Sequence, residues 1–167
     1  VGRRFSKKQS SVNCELGVFG HGGLIRGCIL DEKKAELMID EWPHSWKPGV
    51  ITYRLNNHTS DWSKKRDQER AVTVAFRAWQ LRIKDLRFKR EYDVNKHADM
   101  NITFEDLEHF DGRKGVLAHA YFPGQGEISG DIHINDEWNW VPHSNWQDLA
   151  RPPLLTVLMH EIGHSLG

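Results

Sequence analysis

The hydrophobic pattern divides the chain into short strands and two helices. Alternating apolar positions in residues 51–55 (ITYRL) predict a half-buried strand, because one face of a strand carries every second side chain. Similar alternation, or a short apolar run between turn residues, predicts further strands at 86–90, 100–104, 116–122 and 131–134.

Two segments follow a helical period instead. Val72, Phe76, Trp79 and Ile83 recur at helical spacing, so a long amphipathic helix is expected from Ser63, a plausible N-cap, to Ile83. A second helix is expected to begin near residues 152–153 (PP) and to end near Gly167. This order of elements predicts an α/β (α+β) fold with a mixed sheet.

Residues 1–41 differ from the rest and are interpreted as a leader. They contain a basic start, a glycine-rich stretch at 17–27 and a short helical candidate at 31–39. Residues 42–49 (WPHSWKPG) are expected to be a linker into one domain at 42–167. Both cysteines, Cys14 and Cys28, fall in the leader, where they could pair, ligate a metal or remain free thiols.

Charge and composition exclude some partners. The chain has 23 basic and 23 acidic residues, so its net charge gives no reason to expect nucleic acid or an acidic membrane as a partner. No apolar run approaches the length of a membrane span. Two Asn-x-Thr sequons, at Asn57 and Asn101, are compatible with secretion.

The strongest chemical signal lies in residues 157–167 (VLMHEIGHSLG). Positions i and i+4 share a helix face, so His160 and His164 can bind one zinc ion while Glu161 acts as the general base for a water molecule. The longer pattern H-E-x-x-H-x-x-G opens the metzincin signature, in which a third histidine and a methionine turn follow. Neither is in the sequence, so weak catalytic zinc binding and doubtful activity are expected of these 167 residues by themselves.

The segments at 117–124 (LAHAYFPG) and 130–133 (GDIH), followed by the zinc helix, resemble the catalytic domain of a matrixin, the matrix metalloproteinase family. The resemblance covers roughly residues 42–167 and includes 52–55 (TYRL), 98–104 (ADMNITF) and 110–112 (FDG). It implies a metzincin-like mixed twisted sheet and a secreted zinc endopeptidase of the extracellular matrix. It also implies tissue inhibitors of metalloproteinases as partners.

The resemblance assigns several site residues. His119 and His133 correspond to ligands of a second, structural zinc. Calcium ligands are implied at Asp111, Gly112, Asp99, Asp131 and Asp61. Val116, Leu117 and Ala118 belong to a strand that would pair with an extended substrate. Cys28, within 26–31 (RGCILD), resembles a degenerate cysteine switch for latency; the alternatives are a Cys14–Cys28 disulfide or an idle thiol.

The sequence also departs from the family pattern. The usual His-x-Asp pair before FDG is replaced by residues 105–109 (EDLEH), so either His109 binds the structural zinc with another donor such as Asp106, or that site is weakened. Asn135 stands where an aspartate is usual, and residues 127–129 (EIS) replace glycines, which puts calcium affinity in question. Alternative functions are another metzincin, such as an astacin-like protease, and an inactive zinc- and calcium-binding fragment or pseudoprotease.

Overall fold

A computed structural model describes residues 13–17, 46–62, 64–142 and 151–167, and for 13–17 it describes the backbone alone. Three features expected from the sequence lie outside these residues: the leader helix at 31–39, the cap at Ser63 and the switch cysteine Cys28.

Six strands form one sheet with the spatial order β1-β5-β6-β4-β2-β3. Their bounds are β1 Asn13–Gly17, β2 Gly49–Leu55, β3 Leu86–Arg90, β4 Met100–Glu105, β5 Val116–Tyr121 and β6 Ile132–Asn135. The pairs β3-β2, β2-β4 and β4-β6 are parallel, whereas β5 runs antiparallel to both β6 and β1. The mixed sheet is therefore confirmed, and β1 is an addition that the pattern did not predict.

The two helices, α1 (Lys65–Gln80) and α2 (Leu154–Leu166), are slightly shorter than expected. The α1 helix starts after Lys64, which provides no side-chain cap. It ends at Gln80, whose side chain binds the backbone of β3: its Nε2 donates to the carbonyl of Leu86 at 2.7 Å, and its Oε1 accepts the N–H of Phe88 at 2.9 Å. Ile83 thus lies beyond the helix, although it still packs against the core.

One hydrophobic core joins both helices to the sheet. Phe76, from the apolar stripe of α1, stacks on Tyr53 of β2 with ring centroids 3.8 Å apart. Ala118 and Ala120 of β5 and their neighbours on β6 also belong to this core. Since side chains alternate along a strand, His119 lies on the opposite face of the sheet from the helices. Among the described residues, no helix has the length and apolar character needed to cross a membrane.

Candidate metal centres

The H-E-x-x-H motif lies on α2, as the sequence predicted. His160 and His164 are one turn apart, and their Nε2 atoms lie 2.9 Å from each other. A single hydrogen bond could explain this one contact, so the distance alone does not require a metal. The geometry nevertheless points two imidazole nitrogens at the same place, which is the arrangement that a zinc ion needs from i and i+4 histidines.

Two tryptophans and one glycine fix the position of α2. The indole Nε1 of Trp46 donates to the carbonyl of Ser165 at 2.7 Å, and that of Trp79 donates to the carbonyl of Met159 at 2.8 Å. Gly163 lets Trp79 approach, because a Cβ atom at this position would lie 2.8 Å from the indole ring. Aromatic packing from α1 and from the segment before β2 therefore sets where the metal-binding face lies.

Glu161, which lies between the two histidines in the sequence, is fully buried. Burying an ionised carboxylate is costly unless charge or hydrogen bonding compensates it. A buried carboxylate next to a histidine pair meets the positional requirement for a general base at a metal site.

The histidine pair is neutral at pH 7. Burial, followed by the repulsion that a protonated His160 would exert, lowers the pKa of His164 to about 4, and burial also lowers the pKa of His160. A neutral imidazole has a free lone pair on one nitrogen, which is the form that binds a metal.

A second histidine group lies on the other face of the sheet. His109, from the loop after β4, meets His119 of β5 and His133 of β6. Nε2 of His119 lies 3.3 Å from Nε2 of His109 and 3.0 Å from Nδ1 of His133, and the last two atoms are 2.8 Å apart. Three nitrogen atoms thus form a small triangle.

Hydrogen bonds alone cannot satisfy this triangle. Each ring nitrogen is either a donor or an acceptor, so among three mutually close nitrogens at least two have the same role and repel each other. A cation that accepts all three lone pairs removes this conflict. With metal–nitrogen bonds of about 2.0–2.1 Å, nitrogens around a tetrahedral zinc lie about 3.3 Å apart, close to the observed separations. The three residues therefore fit a zinc ion.

The environment keeps the triangle in its metal-binding form. Burial, and then the repulsion that its protonated form would meet from protonated His133, protonated His109 and Arg113, lowers the pKa of His119 to about 3. Burial also lowers the pKa of His133 to about 4. Among the described side chains, no carboxylate or thiol joins the group. Asp106 instead accepts the backbone N–H of His109 at 3.0 Å, so it orients the loop.

The aspartates expected to bind calcium have structural contacts of their own. Oδ2 of Asp99 accepts the N–H and hydroxyl of Thr52 at 2.7 and 2.6 Å, which ties β4 to β2. Oδ1 of Asp131 accepts the N–H of Asn101 at 2.8 Å. Burial raises the pKa of the Asp131 carboxyl, so a nearby cation would favour its ionised form.

The remaining expected calcium ligands lie in two loops. Oδ2 of Asp61 accepts the N–H of Trp140 at 2.7 Å. Asp111 has a positive φ of 54° and is followed by Gly112 at 72°, a tight turn that exposes the carboxylate. Asp111 lies 3.7 Å from the guanidinium of Arg113. No calcium role is tested by these contacts, and each aspartate remains a candidate ligand.

The expected substrate strand is paired on both sides. Between β6 and β1, Val116, Leu117 and Ala118 are buried, and the carbonyl of Val116 accepts side-chain hydrogen bonds from Asn135 and Trp138, both at 2.9 Å. The backbone of β1 therefore pairs along the edge of β5 that was expected to bind an extended peptide. Sequence reasoning missed this strand, because its alternation of polar and apolar residues spans only 13–17 and lies in the segment interpreted as a leader.

Comparison with known proteins agrees with this geometry. The matrixin model of the peptidase M10 family matches residues 45–167. Over 127 residues the chain is 40% identical to neutrophil collagenase of Homo sapiens, 39% to macrophage metalloelastase of Oryctolagus cuniculus and 38% to stromelysin-1 of Mus musculus.

These alignments cover 73% of this chain and 24–25% of each relative, so the chain spans about a quarter of the length of the curated relatives it matches. The match to the family model covers both histidine groups and most of the sheet. The chain belongs to the matrixin family.

Proposed function

We propose that the protein is a secreted, zinc-dependent endopeptidase that hydrolyses extracellular matrix proteins. The observation that carries this proposal is the buried Glu161 between two neutral, converging histidines on a helix of a matrixin domain. Relatives named for collagen and elastin-type substrates support the substrate class.

The mechanism follows from what each residue can do. His160 and His164 would hold the catalytic zinc, which when bound polarises the scissile carbonyl and makes water more acidic. Glu161 takes a proton from the attacking water and then delivers it to the nitrogen of the leaving amine. Glu161 is as fully buried as its apolar neighbours in α2, Leu158 and Ile162, so its carboxylate is shielded from bulk water.

Substrate binding would use the β5 edge. Strand addition to β5 lets the backbone of an extended peptide pair with residues 116–118 without reading side chains. Because β1 occupies this edge, a substrate has to take the place of β1. We also propose tissue inhibitors of metalloproteinases as partners, since they would compete for the same edge and the same zinc.

Zinc removal tests the activity. In the full-length protein that contains this chain, casein or gelatin hydrolysis is expected to stop after treatment with a zinc chelator and to return when zinc is added back, since the zinc that His160 and His164 would hold activates the water beside Glu161. The rate is measured as hydrolysis of a quenched fluorescent peptide, and the zinc content is measured by atomic absorption. A zinc-loaded protein that leaves casein, gelatin and peptides intact would favour the pseudoprotease instead.

Calcium binding is proposed at Asp99, Asp131, Asp111, Gly112 and Asp61, in two or more loop sites. Calcium at about 100 times its dissociation constant would stabilise the fold by about 2.7 kcal/mol, which raises the Tm by roughly 5 °C or more. Calorimetry with and without calcium measures this, with magnesium as the control. Asp131→Asn is expected to remove much of the shift; an unchanged Tm in the parent protein would argue against calcium.

A further inference from the structure

Basic side chains are concentrated at the β3 end of the sheet. Residues 81–90 contain five basic residues and one acidic residue, a net charge of +4, although basic and acidic residues are equal in number in the whole chain. Four of these basic residues are exposed, and exposed Lys47 precedes β2, the strand that pairs with β3. These five exposed residues form the basic patch: Lys47, Arg82, Lys84, Arg87 and Lys89.

The basic patch has no counter-charge of its own. Within the described part of the chain, none of its five side chains forms an ion pair, whereas neighbouring Arg90 pairs with Glu69 at 3.2 Å. Charges on an edge strand can protect it against aggregation. Lys47, Arg82 and Lys84 lie outside β3, so this protection does not account for them. Like charges repel each other, and an anionic partner would relieve that repulsion.

Two of the cations are in line on one face of the sheet. Phe88 packs against the core, so its neighbours Arg87 and Lys89 lie on the face opposite α1. Residues two apart on a strand are separated by about 6.6 Å. Val50, whose residue is 61% exposed, lies beside Arg87 in the adjacent strand β2. An extended peptide with acidic residues at alternate positions has the same spacing of charges.

The guanidinium of Arg87 is held in position. Its Nη1 donates to the carbonyls of Lys84 and Leu86 at 2.9 and 3.0 Å. Nε and Nη2 have no partner among the described residues, and these two atoms form the edge of a guanidinium that binds a carboxylate through two parallel hydrogen bonds. Because the side chain is already ordered, less conformational entropy is lost when a carboxylate binds.

The backbone of β3 is less available than its side chains. The side-chain amide of Gln80 binds the carbonyl of Leu86 and the N–H of Phe88. A further strand that paired with β3 would need these groups, so a partner has to be recognised mainly by the exposed side chains.

We propose that the basic patch is an exosite that binds an extended acidic segment of a protein substrate. Carboxylates at alternate positions of the segment meet Arg87 and Lys89, and its aliphatic atoms contact Val50. β3 lies four strand spacings from β5, about 19 Å, so more than about six extended residues separate the acidic segment from the scissile bond. This inference rests on the proposed endopeptidase function, and the tests separate the two.

Peptide binding tests the patch directly. The probe is a short fluorescein-labelled peptide with glutamate at every second position and serine between, and Glu161→Gln in the full-length protein prevents its cleavage. At low ionic strength, Arg87→Gln combined with Lys89→Gln is expected to weaken binding about five- to tenfold, measured by fluorescence anisotropy. The matched control, Lys65→Gln with Arg66→Gln, removes the same charge from exposed positions at the start of α1 and should bind like the parent.

Each other result of the binding assay would overturn the exosite. Equal weakening by the two double variants would assign binding to net charge. A peptide with glutamine in place of glutamate that bound as tightly would show that carboxylates are not recognised. Heparin that bound through Arg87 and Lys89, without binding of the acidic peptide, would identify the partner as a sulfated polysaccharide.

Hydrolysis separates the exosite from the proposed function. With Glu161 intact, Arg87→Gln combined with Lys89→Gln is expected to raise KM for a protein substrate that carries an acidic segment and to leave kcat unchanged, while a short neutral peptide keeps the parent values. Hydrolysis with the same KM in both proteins would overturn the exosite alone. Failure of the zinc-loaded parent to hydrolyse any substrate would overturn the proposed function and, with it, the role of the patch in substrate binding.

Discussion

Replacing Glu161 by glutamine is expected to lower kcat for peptide hydrolysis by about 10²–10⁴-fold, because an amide cannot accept and return the proton of the attacking water. The substitution keeps the shape of a fully buried side chain, so zinc content should not change. The measurement is the hydrolysis rate of a quenched peptide by the full-length protein, with zinc determined on the same sample.

An exposed glutamate provides the control for this variant. Glu127 is exposed in the short 3₁₀ turn Gly126–Ile128, outside α2, and Glu127→Gln should retain the parent rate. Near-parent hydrolysis by a folded, zinc-loaded Glu161→Gln protein would mean that another group takes the proton, and the proposed mechanism would then be abandoned.

The metal-free protein is expected to lose much of its stability between pH 6.5 and pH 4. In the unfolded chain a histidine takes up its proton near pH 6.5, whereas the pKa of folded His119 is about 3 and that of His133 and His164 about 4. The unfolded state therefore binds more protons as the pH falls through this window, and the free energy of unfolding decreases. His119 alone would account for roughly 3 kcal/mol at pH 4, a large part of the stability of a typical domain.

Urea unfolding at pH 7 and pH 4.5 measures this effect, with zinc removed and the seven tryptophans as the fluorescent probe. His119→Gln should make the free energy of unfolding less dependent on pH, because one group that resists protonation in the fold is gone. His97→Gln is the comparison for loss of an exposed histidine, since its side chain is 80% exposed, and it should change the pH dependence less than His119→Gln does. An identical slope in parent and His119→Gln would contradict the assignment.

Local patterns predicted the elements and the first metal site because both depend on residues close in the chain. The spacing of His160 and His164 needs only one turn of helix, and the stripe containing Val72 and Phe76 needs only the helical period. Both helices, α2 and α1, accordingly lie at nearly the expected positions. The ends were less predictable: α1 stops at Gln80, whose side chain binds the backbone of β3, a contact that no local pattern encodes.

The histidine triangle depends on contacts distant in sequence. The resemblance to matrixins implied His119 and His133, but the role of His109 stayed open because its place in the loop differs from the family pattern. Only the pairing of β5 with β6, and the turn that brings the loop over them, unites the three residues. The indole hydrogen bonds from Trp46 and Trp79 to the backbone of α2 could not be predicted from the sequence either. The helical spacing of Trp79 predicts that it packs in the core, but it does not predict the partner of its indole N–H.

The pairing of β1 with β5 also bears on solubility. Without Asn13–Gly17, the backbone N–H and carbonyl groups on that side of β5 would be unpaired, along a strand whose side chains are mainly small and apolar. An open edge of this kind adds any extended chain, including a second copy of the same protein, and such edges promote aggregation. The property that suits β5 to bind a peptide thus makes it hazardous during folding and storage, and β1 would act as a built-in cover against self-association.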